Sequence, residues 1–288
     1  MTYGIPAGQP DEDVPVCPRH PDRVSYVRCQ RCGRPACPEC QRPAAVGIQC
    51  VDCVRDAQRH SPATRTIFGG TVRQGKPLVT FSLIGACVAL FLAQLAIPGV
   101  TDLLAYAGIY TSGIITPEPW RMITAAFLHS TGFLLHIGFN MYALWIIGQA
   151  LEPLLGRARF HALYLIAAFG GSVAVLLLTN PLQGVVGASG AVFGLFGAML
   201  IVQRRRGGDV RQLVVLIAIN TVLGFVVSGI SWQAHLGGLM AGSAAAAIIA
   251  YTPRSSKRSL IQWSGLAALT VVLLVLTFVG ASLVTFPA

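Results

Sequence analysis

Gly187-Ala188-Ser189-Gly190-Ala191-Val192-Phe193-Gly194-Leu195-Phe196-Gly197-Ala198-Met199-Leu200-Ile201-Val202 is an apolar run that stops at Gln203-Arg204-Arg205-Arg206. Such a run, closed by a block of arginines, reads as a membrane helix ending at a basic boundary. It is one of several. Apolar runs lie at about 78–97, 133–151, 160–179, 188–203, 211–228, 232–251 and 260–284. Several come near the roughly 20 residues that a spanning helix needs. The 288-residue chain is 54% hydrophobic and 11% charged, whereas a soluble domain carries about 25% charged residues. The fold class that follows is an all-α polytopic membrane protein with seven spans.

The charges agree with seven spans. Residues 61–288 hold thirteen Lys/Arg and only four acids, Asp102, Glu118, Glu152 and Asp209. Arg65, Arg73 and Lys76 precede the first run, and Arg157 and Arg159 follow the second. Arg204, Arg205, Arg206 and Arg211 follow the fourth, and Arg254, Lys257 and Arg258 the sixth. Every second gap is therefore basic, with Arg121 the one exception. By the positive-inside rule the N-terminus is expected in the cytoplasm and the C-terminus outside, in a plasma (inner) membrane. The net charge of +10 thus belongs to membrane loops and not to a nucleic-acid surface. The polar first ten residues, followed by Asp11-Glu12-Asp13, do not read as a cleavable signal, so the first span is expected to direct insertion.

Seven of the eight cysteines fall between positions 17 and 53, as Cys17-x2-His20, Cys29-x2-Cys32, Cys37-x2-Cys40 and Cys50-x2-Cys53. Four x2 pairs supply eight ligands, enough for two tetrahedral zinc ions with structural roles. Thiolate and imidazole suit zinc, and a cytosolic segment disfavours the competing disulfide framework. In so small a module the metal is expected to supply much of the folding free energy. The order of pairs resembles the B-box type of zinc finger over about residues 15–60. That resemblance implies that the first and third pairs share one metal and the second and fourth the other; sequential pairing remains the alternative. His60 reads as a solvated helix-end residue and Cys87 as a small buried apolar one. The expected organisation is a zinc-binding module at 1–62, a linker at 63–77, a six-helix core at 78–251 and an additional helix within 252–288. The module's expected role is binding, with a protein partner among the candidates.

Ser189 opens the fourth run and His235, in Ala234-His235-Leu236-Gly237-Gly238, lies near the start of the sixth. Both runs enter from the same side, so the two residues lie at similar depth. Polar residues within spans are costly and mark function, and a Ser/His pair suggests a nucleophile and its base. Gly190, Gly194 and Gly197, with Gly238-x3-Gly242, would let the two helices approach closely. Gly187 and Gly190 tolerate a tight turn at the serine. His136 and Asn140, four apart on the second run, share a helix face. With the Ser189 N–H they could stabilise an oxyanion. No acid is placed to orient His235, which points to a dyad. His129 reads as a polar residue at the outer boundary, His161 as interfacial, and Trp120 as an interfacial anchor. Arg121 is expected to tie the first loop to headgroups or carbonyls.

Over about residues 78–251 the chain resembles the rhomboid intramembrane serine proteases. The matching residues are Trp120-Arg121, His136-x3-Asn140, the Gly-x-Ser-Gly around Ser189, and Ala234-His235 with its glycines. The resemblance implies Ser189 as nucleophile, His235 as base, and His136 and Asn140 at the oxyanion. It also implies a six-helix core with a seventh helix appended, transmembrane protein substrates in the lipid bilayer, and no cofactor for catalysis. Phe193 stands where relatives often carry tyrosine; its ring can still pack on His235. Zinc-dependent and paired-aspartate mechanisms lack their motifs here: there is no His-Glu-x-x-His and no span carries a mid-membrane Asp. A non-catalytic client-binding relative is the alternative, but such relatives typically lack the serine or the histidine.

Overall fold

The computed structural model of the chain describes residues 14–60, 65–71, 75–226 and 229–284. Asp11-Glu12-Asp13, Ser61-Pro62 and the last two positions of the fifth apolar run lie outside the described residues. The chain divides into two compact units, Met1–Ala63 and Thr64–Ala288.

The first unit is small. β1 (Val16–Cys17) pairs antiparallel with β2 (His20–Val24), and β3 (Gln41–Pro43) with β4 (Ile48–Cys50), which runs into α1 (Val51–His60). Its core is built from Ala36 and six cysteines, Cys17, Cys29, Cys37, Cys40, Cys50 and Cys53. A domain of this size buries too little apolar surface to be stable by packing alone. Sulfur ligands at its centre are the expected remedy.

The second unit is helical. α2 (Leu78–Ala96) is followed by the short α3 (Val100–Leu104) and α4 (Arg121–Thr124) in the first loop. Then come α5 (Leu134–Leu155), α6 (Arg157–Leu178), α7 (Ser189–Arg205), α8 (Arg211–Val226), α9 (Trp232–Tyr251) and α10 (Arg258–Leu283). Seven of these match the seven apolar runs. Five of the seven, α2, α5, α6, α9 and α10, are long and apolar enough to cross a membrane. The other two are shorter among the described residues: α7 has 17 residues and α8 has 16. α7 is short because its lead-in turns at Gly187, where φ is +137°. α5 is longer than its apolar run, continuing through Pro153 to Leu155.

α6, α7 and α9 form the centre, and α10 packs along α6 and α9. Glycines set the spacing of α7 and α9. A Cβ on Gly238 would overlap the Gly190 carbonyl, and one on Gly242 would overlap the backbone of Gly194. The two backbones therefore touch without intervening side chains. Ser231 caps α9 by accepting the Ala234 N–H at 3.3 Å, which fixes the turn that carries His235.

Two parts of the unit show features that local sequence does not reveal. Residues 65–71, read as linker, are packed: Arg65 and Thr71 form an antiparallel bridge and Phe68 is 3% exposed. Ile67 beside it stays exposed, and the burial of Phe68 depends on α10, whose Gln262 amide donates to its carbonyl. Glu152, one of the four acids counted beyond residue 60, lies in the last turn of α5 and is 2% exposed. Its carboxylate accepts the N–H of Val79 at 3.1 Å and both the N–H and hydroxyl of Thr80 at 2.8 Å. A buried carboxylate is tolerated when it receives such donors, and here it caps the first turn of α2.

Gly238→Ala is expected to lower stability by about 1–3 kcal/mol through overpacking. Gly85→Ala, at a glycine with open space around it, should stay within about 0.5 kcal/mol of wild type. Thermal unfolding of both variants in the same detergent checks this; equal midpoints would show that the α7–α9 spacing is not set by the glycine contact.

Candidate functional site

The loop between α2 and α5 holds the approach to α7. Arg121 is 5% exposed and anchors that loop. It pairs with Glu118, donates to the carbonyls of Asp102 and Ala105, and lies 4.0 Å from the centroid of the Tyr110 ring. Of the two partner types expected for it, carbonyls are the ones present, and lipid contact is excluded by its burial. Trp120 beside it is half-exposed. The anchored loop then clamps the lead-in to α7. Tyr106 and Val185 exchange backbone hydrogen bonds, and Gly187 N–H donates to the Ala125 carbonyl at 2.9 Å.

Ser189 is the first residue of α7 and is partly exposed. The first intrahelical donor of α7 is the Val192 N–H, so the N–H groups of Ser189, Gly190 and Ala191 face outward at a helix N-terminus. Such groups form a ready site for developing negative charge. His235 is 7% exposed in the first turn of α9, and the Phe193 ring stacks on its imidazole with centroids 4.0 Å apart and planes at 12°. Among the described residues, Ser189 Oγ and His235 make no hydrogen bond to each other, and His235 Nδ1 is buried without a partner. Hydrogen bonds of this kind are often long before a substrate engages.

His136 approaches from α5. The Ser130 N–H donates to its Nδ1 at 3.2 Å. That bond assigns the proton to Nε2 and leaves Nε2 as a donor. The position that a Cβ on Gly187 would occupy is 3.0 Å from His136 Nε2 and 3.6 Å from Ser189 Oγ. Glycine leaves that space open, between a hydroxyl and an N–H donor. Asn140 is buried, and its amide donates to the His136 carbonyl at 2.8 Å. One of its two N–H groups is thus engaged in the helix and the other is available. Ser189, Gly187 and His136 are brought together at the α7 N-terminus, Asn140 follows one turn after His136 on α5, and Phe193 and His235 meet across the α7–α9 contact.

His129, read as a polar residue at the outer boundary, is fully buried within the protein, and its ring meets His136 edge-on at 5.3 Å. Both of its ring nitrogens lack partners among the described residues. Gln94 of α2 holds the His129 backbone, accepting its N–H and donating to its carbonyl, each at 3.0 Å, which no local pattern announces. The one available signal was the seven-residue offset of His129 from His136.

The first unit holds two clusters that can each take a metal ion: Cys17, His20, Cys37 and Cys40, and Cys29, Cys32, Cys50 and Cys53. The pairs interleave, first with third and second with fourth. In each cluster the ligand atoms lie within 4.8 Å of one another. A tetrahedral zinc with bonds of about 2.3 Å to sulfur sets two sulfurs about 3.8 Å apart, and sulfur and nitrogen about 3.6 Å apart. Cys32 and Cys50 sulfurs are 3.8 Å apart, and His20 Nδ1 is 3.3 Å, 3.4 Å and 4.0 Å from Cys37, Cys40 and Cys17. His20 Nε2 faces Glu39 at 3.9 Å, and Glu39 pairs with Arg23 at 2.7 Å, the outer support that metal-binding histidines commonly have. The thiols are polarised in opposite directions. The Cys37 backbone N–H chiefly lowers Cys17 to about 6, while burial chiefly raises Cys40 to about 11. Several thiolates at one point repel unless a cation sits among them. His60, paired with Asp56 at the end of α1, belongs to neither cluster.

A family model described as a rhomboid domain matches residues 116–252. Rhomboid protease GluP of Bacillus subtilis (strain 168) is 36% identical over 185 residues, which are 62% of this chain and 36% of that protein. The putative rhomboid protease YdcA of the same organism is 36% identical over 172 residues, 58% of this chain and 85% of that protein. Rhomboid protease AarA of Providencia stuartii is 27% identical over 204 residues, 59% of this chain and 71% of that protein. The matched region thus spans about a third of GluP and most of YdcA.

The cluster geometry leads to an expected metal content of about two ions per chain, from four ligands at each site. Metal analysis of the purified full-length protein should fall to about one ion in Cys37→Ser and about one in Cys50→Ser, since each removes a ligand from a different cluster. A wild-type protein carrying none would overturn the assignment.

Proposed function

Because the chain belongs to the rhomboid family, we propose that it is an intramembrane serine endopeptidase that cleaves transmembrane proteins within or beside their spanning helices. The observation that carries this reading is the meeting of α7 and α9, which sets the partly exposed Ser189 at a helix N-terminus and the imidazole of His235 against Phe193.

In this mechanism His235 takes the proton of Ser189 Oγ as the oxygen attacks the scissile carbonyl. The oxyanion is met by the Ser189 N–H, by His136 Nε2–H and by the free N–H of Asn140. Collapse of this intermediate breaks the peptide bond, and the new amine leaves with the proton held by His235. Water then attacks the acyl ester, His235 takes its proton, and Ser189 is released with its hydroxyl restored. The chemistry uses the protein's own groups and requires no added cofactor. Water reaches the site through the polar end of the bundle, since exposed polar backbone is tolerated at membrane depth only beside such a cavity. Substrate helices with Gly, Ala or Pro near the cut are the preferred class, because an intact helix shields its carbonyls. Gly187 and Gly190 support the site by keeping the approach to Ser189 open.

The same reading places the first unit in the cytoplasm with two structural zinc ions, and the C-terminus outside, in the plasma (inner) membrane. Its partners are the bilayer, transmembrane substrates and a protein recognised by the zinc module.

A fluorophosphonate probe should label the purified full-length protein at Ser189, and the label should disappear in Ser189→Ala and in His235→Ala. Persistent labelling of Ser189→Ala would remove Ser189 as the nucleophile. Unlabelled but folded wild type, with no cleavage of a fluorogenic transmembrane peptide, would favour a client-binding role instead. In the same peptide assay His136→Ala and Asn140→Ala should each lower kcat by roughly 10- to 1000-fold; unchanged kcat in both would take them out of the oxyanion site.

A further inference from the structure

The end of the bundle at which α6 and α10 begin gathers arginines; among the described residues Arg157 pairs with Glu152, while Arg159 and Arg258 form no ion pair. α6 opens with Arg157-Ala158-Arg159, and Arg254 and Lys257 lead into Arg258 at the start of α10. The two acids at this end are occupied. Glu152 caps α2 and stands 3.8 Å from Arg157, while Asp209 accepts the Arg211 N–H. Arg159 is 7% exposed. Its polar partners are neutral: Nε donates to the Gln262 side-chain oxygen at 2.8 Å, and one terminal nitrogen lies 3.4 Å from Ser259 Oγ. The Arg258 Nε is buried without a partner among the described residues. A Cβ on Gly69 would stand 3.4 Å from both that Nε and the Gln262 oxygen. Gly69 thus lies beside both Arg258 and the amide that Arg159 engages. Buried charge of one sign with only neutral partners is unfavourable, and a bound anion relieves it.

A cavity of about 620 Å³ opens beside Arg159. That volume falls within the range of roughly 300–1,000 Å³ typical of small-molecule sites. α6 floors it from Gly156 to Leu165, so Arg157, Arg159 and His161 lie in its first turns and Ala162 and Leu165 further along the axis. Trp263 of α10 forms a wall, with the Arg159 guanidinium carbon 5.9 Å from its ring centroid. The first N–H donor inside α6 is that of Phe160. The N–H groups of Arg157, Ala158 and Arg159 thus also face this end, where a helix favours an anion.

We propose that this cavity binds the headgroup phosphate of an anionic phospholipid. Arg159 and Arg157 meet the phosphate oxygens, Trp263 sits at headgroup level, and an acyl chain follows Ala162 and Leu165. A phosphate oxyanion is the chemistry recognised. A lipid supplies it in preference to the free ion because the cavity continues onto apolar residues of membrane helices, which offer a free anion nothing. Basic pockets between helices at a membrane boundary suit such headgroups. The bound lipid would bridge α6 and α10.

Native mass spectrometry of the full-length protein, delipidated in detergent and then given phosphatidylglycerol or phosphatidylcholine, tests this. Phosphatidylglycerol should be retained preferentially. Arg159→Gln and Arg157→Gln should each lower that preference about fivefold, while Arg204→Ala, at an exposed arginine on α7, should leave it unchanged. Trp263→Ala, on the cavity wall, serves as a further reading should the buried Arg159→Gln fail to fold. Excess inorganic phosphate should not displace the lipid. Equal retention of the two lipids, an equal loss in Arg204→Ala, or displacement by inorganic phosphate would overturn the proposal.

Discussion

The backbone contact between α7 and α9 is the constraint on which the rest of the second unit depends. Four glycines, Gly190 and Gly194 on one helix and Gly238 and Gly242 on the other, leave no room for side chains between the two axes. In a bilayer, helices gain little from hiding apolar groups from lipid, so close packing has to supply the attraction. The contact also fixes the chemistry. At this spacing Phe193 stacks flat on His235. The first turn of α9 lies against the first turn of α7 for the same reason.

The site also depends on an irregular segment. The loop before α5 has little regular structure, yet it is held by a buried arginine with several partners and by backbone bonds to the strand-like lead-in of α7. Ser172 of α6 adds a hydrogen bond to the Met122 carbonyl at 2.6 Å. Polar groups satisfied inside protein are more rigid than the same groups in water. The open space at Gly187 is thus walled by His136 on one side and backed by a fixed loop on the other.

Much of this was legible in the sequence, for stated reasons. A bilayer demands apolar length, so the helices at α2, α5, α6, α9 and α10 appear as runs with ends displaced by only a few residues. The x2 spacing of the cysteine pairs is a local signal, and the interleaved grouping agrees with the resemblance that suggested it. Hidden features were those whose partners lie far apart in the chain. His129 is buried where Gln94 of α2 and His136 of α5 meet its loop, and Phe68 where a stretch resembling a linker meets the bundle. Arg121 was recognisable as an anchor, but its choice of carbonyls over lipid was not. Glu152 was visible as an acid beside an apolar run, but nothing local named the helix it serves. Asn140 shows the same limit at the site, since its bond to the His136 carbonyl uses one of the two N–H groups that spacing alone left free.

Glu152 also bears on how the protein comes into being. The carboxylate that closes the first turn of α2 is contributed from 72 and 73 residues further along the chain. When α2 leaves the ribosome its opening N–H groups have no internal partner, and they can face only water or headgroups. The helix becomes complete only after α5 has been made and has turned back to the same boundary. Until then α2 is held by its hydrophobicity without the acceptor that closes its opening turn. Arrival of a single acid then ties that turn to α5, so the register of one helix is set by a later one.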